Sequence, residues 1–137
     1  MGQTRPMFPE RPGTYRYTHG ERLPVEILVF EVDPDDVEAY LRVDHEVWTL
    51  GEAFHPELDH IPFLSKEVWL NDHRPGEITL IFVFESMEAW ERVGAGHIQA
   101  QLLAEFDLRF GKRQTLVRAV HEEEHFGIHR WSRFDRT

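Results

Sequence analysis

The octapeptide VEILVFEV, residues 25–32, constrains this chain more than any other feature. It is short, β-branched and aromatic, and apart from Glu26 and Glu31 it is apolar on both of its alternating sets. A strand with one wet face alternates apolar and polar residues, whereas a strand apolar on both sets is covered on both. The fold therefore needs a layer on each side of this strand, and 137 residues supply one domain with a real core and little to spare.

The rest of the chain provides one of those layers. Asp33 is placed as an N-cap, Pro34 as the first helical residue and Asp35 and Asp36 in the first turn, so DPDDVEAYLRVDHEVWTLGEAF opens as a helix. Val37, Tyr40, Leu41, Val47 and Trp48 share one face of it, with the carboxylate of Asp44 at its centre. FLSKEVWLN (63–71) and EITLIFVFE (77–85) read as an antiparallel hairpin, with Pro75-Gly76 in the turn region DHRPG expected to favour the reversal. Ser86 caps a short helix, GAG (94–96) breaks it, and HIQAQLLAEFDLRF resumes with Ile98, Leu102, Phe106 and Phe110 at helical spacing. TLVRAV and FGIHRW then return to strand character. The order β, α, β, β, α, β is that of an α+β, ferredoxin-like antiparallel sheet with helices on one face. Residues 1–22, rich in Pro and Gly, are expected to be a flexible or strap-like extension, and 23–137 the single domain.

Composition excludes several functions. Fifteen Lys and Arg against 25 Asp and Glu leave a formal charge of −10, which repels a nucleic-acid backbone. With no Cys there is neither disulfide nor thiolate chemistry. No apolar run approaches the roughly 18 residues of a spanning helix, and the N-terminus lacks the apolar centre of a secretion signal, so a cytoplasmic protein with no membrane partner is expected.

HEEEHFGIH (121–129) contains H-E-x-x-H, the zinc-peptidase pattern. That chemistry needs His121 and His125 on one turn of a stable helix, but the flanking segments favour β structure and Gly127 weakens a helix. On a strand, four residues span about 13 Å, too far for one ion. A solvated acidic loop or strand end is expected here, with no metal; a His/carboxylate site using His121, His125 and residues from a partner is the weaker alternative.

Asp44 and Trp48 point together at the sheet, with His45 beside them at the rim; in the hairpin, Trp69 shares a face with Glu67 and Asn71. A cavity with aromatic walls would desolvate Asp44, raise its pKa and fit it to act as a base. The alternative is structural, with Asp44 bonded to backbone or paired with Arg118 or Arg130. The candidate site is thus Asp44 as catalytic residue with His45, Trp48, Trp69 and Asn71 as ligand contacts.

DHEVWT (44–49), FLSKEVW (63–69) and FESMEAW (84–90) carry a resemblance over about residues 25–110. They resemble an uncharacterised bacterial family of the dimeric α/β-barrel superfamily, which includes antibiotic-biosynthesis and haem-degrading monooxygenases. The resemblance implies a ferredoxin-like subunit whose sheet packs on that of a second copy, giving a homodimer with a pocket between sheet and helices in each subunit. It agrees with the two-sided first strand. Haem-degrading and cofactor-free members alike set an Asn, a Trp and a His around the pocket. The first strand here has neither Asn nor His, Trp69 and Asn71 stand on the second strand, and no cofactor is expected. Two functions stand side by side: a cofactor-independent, monooxygenase-like enzyme acting on an aromatic or polyketide-like substrate through Asp44, and a non-catalytic ligand-binding or stress-associated dimer.

Overall fold

A computed structural model describes residues 5–94 and 96–137. Its sheet is antiparallel throughout. Strands β1 (Tyr15–Val32), β2 (Phe63–Asn71), β3 (Arg74–Phe84) and β4 (Gln114–Ala119) lie in the order β2-β3-β1-β4, and β5 (His129–Arg136) pairs with β1 outside that path. The central register sets Leu28 opposite both Leu80 of β3 and Ala119 of β4. This is the α+β, ferredoxin-like arrangement expected from the element order.

β1 begins at Tyr15, within the segment expected to be an extension. Its first half, Tyr15 to Pro24, pairs with β5 as a two-stranded ribbon, with a break in register between His19 and Leu23. Gly20, at φ +77°, occupies that break, where the left-handed backbone suits a residue without Cβ. Tyr15 stacks on Phe134 at 4.9 Å, so cross-strand aromatic contact holds the ribbon together.

The segment after β1 is helical from Pro34 to Ala53, but in four pieces. A 3-10 turn (Pro34–Asp36) leads into α1 (Val37–Val43), then a π-helical stretch (Asp44–Thr49), then α2 (Leu50–Ala53). The Asp33 side chain accepts from the Asp35 N–H and Pro34 opens the first turn, as the sequence indicates. The Leu50 N–H bonds to the His45 carbonyl, the i→i+5 bond that widens the turn.

The hairpin turn falls at the start of the expected DHRPG region rather than at Pro75-Gly76. Asn71 pairs with Arg74 across Asp72 and His73, and the Asn71 side-chain oxygen accepts from the His73 N–H at 2.9 Å, a local Asx-type closure. Pro75 and Gly76 therefore stand inside β3. Gly76 is required there because a Cβ would collide with the backbone carbonyl of Val32.

α3 (Met87–Gly94) is capped by Ser86, whose Oγ accepts from the Ala89 N–H at 3.0 Å. The expected break at 94–96 includes Ala95, which lies outside the described residues; Gly96, at φ +72°, precedes α4 (His97–Phe110). α4 buries Ile98, Leu102, Phe106 and Phe110, the four residues its periodicity selects, and Gly111 ends it in the left-handed conformation. Phe106 and Phe110 meet Tyr40 of α1 edge-on at 5.2 and 5.3 Å, and this aromatic cluster seats the helices on Ile78 and Leu80. α5 (Val120–Glu123) is a single turn between β4 and β5.

Candidate functional site

Strand alternation sends Glu26, Leu28 and Phe30 of β1 and Leu80, Phe82 and Phe84 of β3 toward the helices. Between these side chains and the helices lies a cavity of about 310 Å³. Trp48 of the π stretch, Trp90 and Val93 of α3, and Leu103 of α4 form the opposite wall. Into this apolar space project Glu26, Asp44, Glu52 and His121, with the exposed Glu122 at its border.

Asp44, Trp48 and Glu52 reach the cavity from successive positions four apart, spanning the π stretch into α2. The wider π turn brings residues at this spacing onto one line, which is why the helix offers a carboxylate, an aromatic ring and a second carboxylate to the same space. Asp44 is 1 % exposed and Glu52 6 %.

Lys66 of β2 reaches up from the edge of the sheet. Its ammonium bonds to Asp44 Oδ2 and donates to Thr49 Oγ1 at 2.5 Å, with the two charged side chains 6 % and 2 % exposed. The ammonium also lies 5.0 Å from the centroid of the Phe82 ring. Lys66, rather than Arg118 or Arg130, is thus the partner of Asp44: Arg118 is engaged by Glu123 at 2.7 Å and Arg130 by Glu21 at 3.4 Å. The other Asp44 oxygen, Oδ1, is buried with no hydrogen-bond partner among the described residues.

Glu26 accepts from the Trp90 indole N–H at 2.7 Å. His121, 3 % exposed, sets Nδ1 3.3 Å from the Ile27 nitrogen and 3.2 Å from the Ile27 oxygen, so it can accept from or donate to the β1 backbone according to tautomer. Its ring meets Trp90 and Phe126 edge-on. The sequence reading of this segment as a solvated loop or strand end needs correction at His121, which α5 turns inward onto β1. His125 follows the end of that single turn at φ 50°, so the two histidines of H-E-x-x-H do not share a continuing helix. Among the described residues no group of three or more His, Asp or Glu is placed to hold a metal ion.

Burial pushes the Glu52 carboxyl well above its ordinary pKa, and the neighbouring Glu26 carboxylate adds to the effect. Burial also raises Glu26, opposed first by the Trp90 hydrogen bond. Asp44 is raised by burial against the opposing charge and hydrogen bond of Lys66. The three acids thus share a tendency to hold protons, but only Asp44 has an ammonium bonded to it, which favours its ionised form. Environments that separate carboxyl groups in this way allow one to serve as base and another as acid.

The remaining expected contacts lie elsewhere. His45 is exposed and borders a separate groove with Leu41, Thr49, Lys66, Val68 and Leu70, on the far side of Asp44. Trp69 is 57 % exposed on the sheet face away from the helices, its indole donating to Glu67 at 3.0 Å, and Asn71 is occupied by the hairpin turn. Of the five residues, the structure brings only Asp44 and Trp48 to the cavity. Glu26, Glu52, Trp90 and His121 complete it, and Lys66 holds Asp44 from the β2 side. Two signals for them are present in the sequence: the spacing 44, 48, 52, and the interruption by Glu26 of the apolar set containing Leu28 and Phe30.

No family model and no curated protein sequence matches the chain. Solved structures do. A Caulobacter crescentus protein described as a "putative antibiotic biosynthesis monooxygenase" is 12% identical, with a TM-score of 0.50 over 72% of this chain and 88% of that one. A Bacteroides thetaiotaomicron protein of the same description is 16% identical, with a TM-score of 0.49 over 73% and 90%. A dimeric ferredoxin-like protein from an uncultured marine organism is 14% identical, with a TM-score of 0.43 over 85% and 87%.

Proposed function

From an antibiotic-biosynthesis-monooxygenase-like fold as premise, we propose that this protein binds a small, ring-bearing molecule in the cavity and oxygenates it by acid–base chemistry, without a resident cofactor. The observation that carries this reading is the unpartnered Asp44 Oδ1 in an aromatic-walled cavity shared with Glu52 and Glu26. A buried carboxylate with a free lone pair is ready to take a proton, and its raised pKa strengthens it as a base. Asp44 removes a proton from an activated CH2 of the bound substrate, and conjugation with the substrate's own ring stabilises the carbanion. Dioxygen adds to that carbon to form a hydroperoxide, which loses water and leaves a carbonyl. One oxygen atom thus stays on the substrate and one departs as water, the proton taken by Asp44 returning to the departing oxygen.

The assembly that goes with this reading is a homodimer. Val25, Ile27 and Val29 of β1 and Ile81 of β3 lie on the sheet face away from the helices, partly exposed, and a second copy packed on this face supplies the other layer that the first strand requires.

The buried Asp44–Lys66 pair favours a second reading, a non-catalytic ligand-binding dimer in which Asp44 ties the π stretch to β2. The two readings separate in one experiment. Ring compounds that raise the melting temperature are selected, and oxygen uptake is followed with each in the absence of added metal or flavin. The enzyme reading expects uptake per bound ligand that falls by about 10²–10⁴-fold in Asp44→Asn. Binding without uptake in the wild type leaves the binder reading.

A further inference from the structure

The charge that borders the cavity is lopsided. Glu26, Asp44, Glu52 and Glu122 face it, against His121 as the only lining residue that can carry a positive charge among those described. Lys66 approaches from the β2 side and is already engaged by Asp44 and Thr49. Glu26 spends one oxygen on the Trp90 indole. Asp44 Oδ1 has no donor among the described residues, and Glu52, 6 % exposed, lines the same cavity about two turns further along the helical run. A buried acceptor without a donor is costly, and the missing donor is what a ligand can supply. The walls meanwhile are aromatic: Trp48, Trp90, Phe82 and Phe84 present ring surface of the kind that attracts organic cations. The chain as a whole, at −10, draws cations rather than anions toward itself.

We infer that the ligand of this cavity is an organic cation, an ammonium group attached to a ring-bearing body, with the ammonium donating to the Glu52 carboxylate and Asp44 Oδ1 and the body lying against Trp48 and Trp90. The inference rests on the cavity being the ligand site and adds the charge of what it takes. The ammonium N–H groups satisfy the orphaned oxygen, and the positive charge displaces the proton that Glu52 holds in the empty cavity, so that both acids face the cation ionised. An anionic ligand of the same shape meets four acids and finds one histidine.

The test compares three molecules of one shape by calorimetry at neutral pH: 2-phenylethylamine, which is protonated, the neutral 2-phenylethanol, and the anionic phenylacetate. The wild type is expected to rank them amine, alcohol, acid, with the amine at least about tenfold tighter than the alcohol. Glu52→Gln is expected to bring amine and alcohol to similar affinity while the alcohol binds as before. If that variant does not fold, the ranking in the wild type decides alone. An alcohol that binds as well as the amine overturns the cation assignment and leaves the cavity as a ligand site. Tightest binding by phenylacetate overturns it more strongly. Failure of all three to bind overturns both the assignment and the reading it rests on.

Discussion

Asp44 and Lys66 approach each other from a helical turn and a sheet edge, and each is tolerable in the interior only because of the other. Lys66→Met removes the cation and leaves a buried carboxylate, so denaturant unfolding is expected to show a loss of about 3–5 kcal/mol, most of it recovered in Lys66→Met combined with Asp44→Leu. A double variant as unstable as the single one would deny the pair its role. Glu52 gives a prediction of a different kind. Its folded pKa lies well above the ordinary 4.5, so the folded protein holds a proton that the unfolded chain has released. Its contribution to stability is therefore present below pH 4.5 and is lost as pH rises through the folded value. Glu26 and Asp44, also raised, add to the same slope, and Lys66 opposes it. Glu52→Gln is expected to flatten the decline, so that unfolding free energies of variant and wild type move apart in the variant's favour between pH 5 and pH 8. A constant difference across that range would contradict the assignment. The sequence marked Asp44 through its place on an apolar helical face, but nothing near it signalled Lys66, because a partner 22 residues away is set by the pairing of β2 with β3 and not by spacing.

At the scale of elements, the strands and helices were legible where one periodicity ran unbroken. β2 keeps the range its sequence indicates, and α4 buries the residues its period selects. The helix after β1 was legible as helix but not as π-helix, because the i→i+5 turn shifts Asp44, Trp48 and Glu52 into line without changing the apolar pattern around them. The hairpin turn was misplaced because Pro-Gly is a strong turn signal, whereas here Asn71 closes the turn locally and Gly76 serves a close approach to Val32. That reassignment is testable. Gly76→Ala forces a methyl against a backbone carbonyl with no side chain to swing aside, and a loss of about 1–3 kcal/mol is expected. A neutral substitution, read by thermal or denaturant unfolding, would return Gly76 to the role of turn residue. The ribbon of β1 and β5 escaped the sequence because its first half is polar and Pro-flanked; pairing with a strand more than a hundred residues away, assisted by Tyr15 on Phe134, makes it a strand.

For the whole molecule, one sheet face is covered by helices and the other is not. Among the described residues no helix is long and apolar enough to cross a membrane. A homodimer predicts sedimentation at twice the chain mass, and Ile81→Lys, which puts a charge in the middle of that face, is expected to yield monomers with the helical layer intact by circular dichroism. A wild-type monomer at micromolar concentration would remove the dimer.

The central claim is that ligands enter the space between helices and sheet, and the tryptophans provide the direct measurement. Trp48 and Trp90 line the cavity, whereas Trp69 and Trp131 are 57% and 55% exposed and lie outside it. Two variants divide them, one retaining only Trp48 and Trp90, the other only Trp69 and Trp131, with Phe at the remaining positions. On titration with a stabilising ring compound, a saturable fluorescence change is expected in the first variant and none in the second. A change confined to the second would place the ligand on the outer surface and contradict the cavity as the functional site.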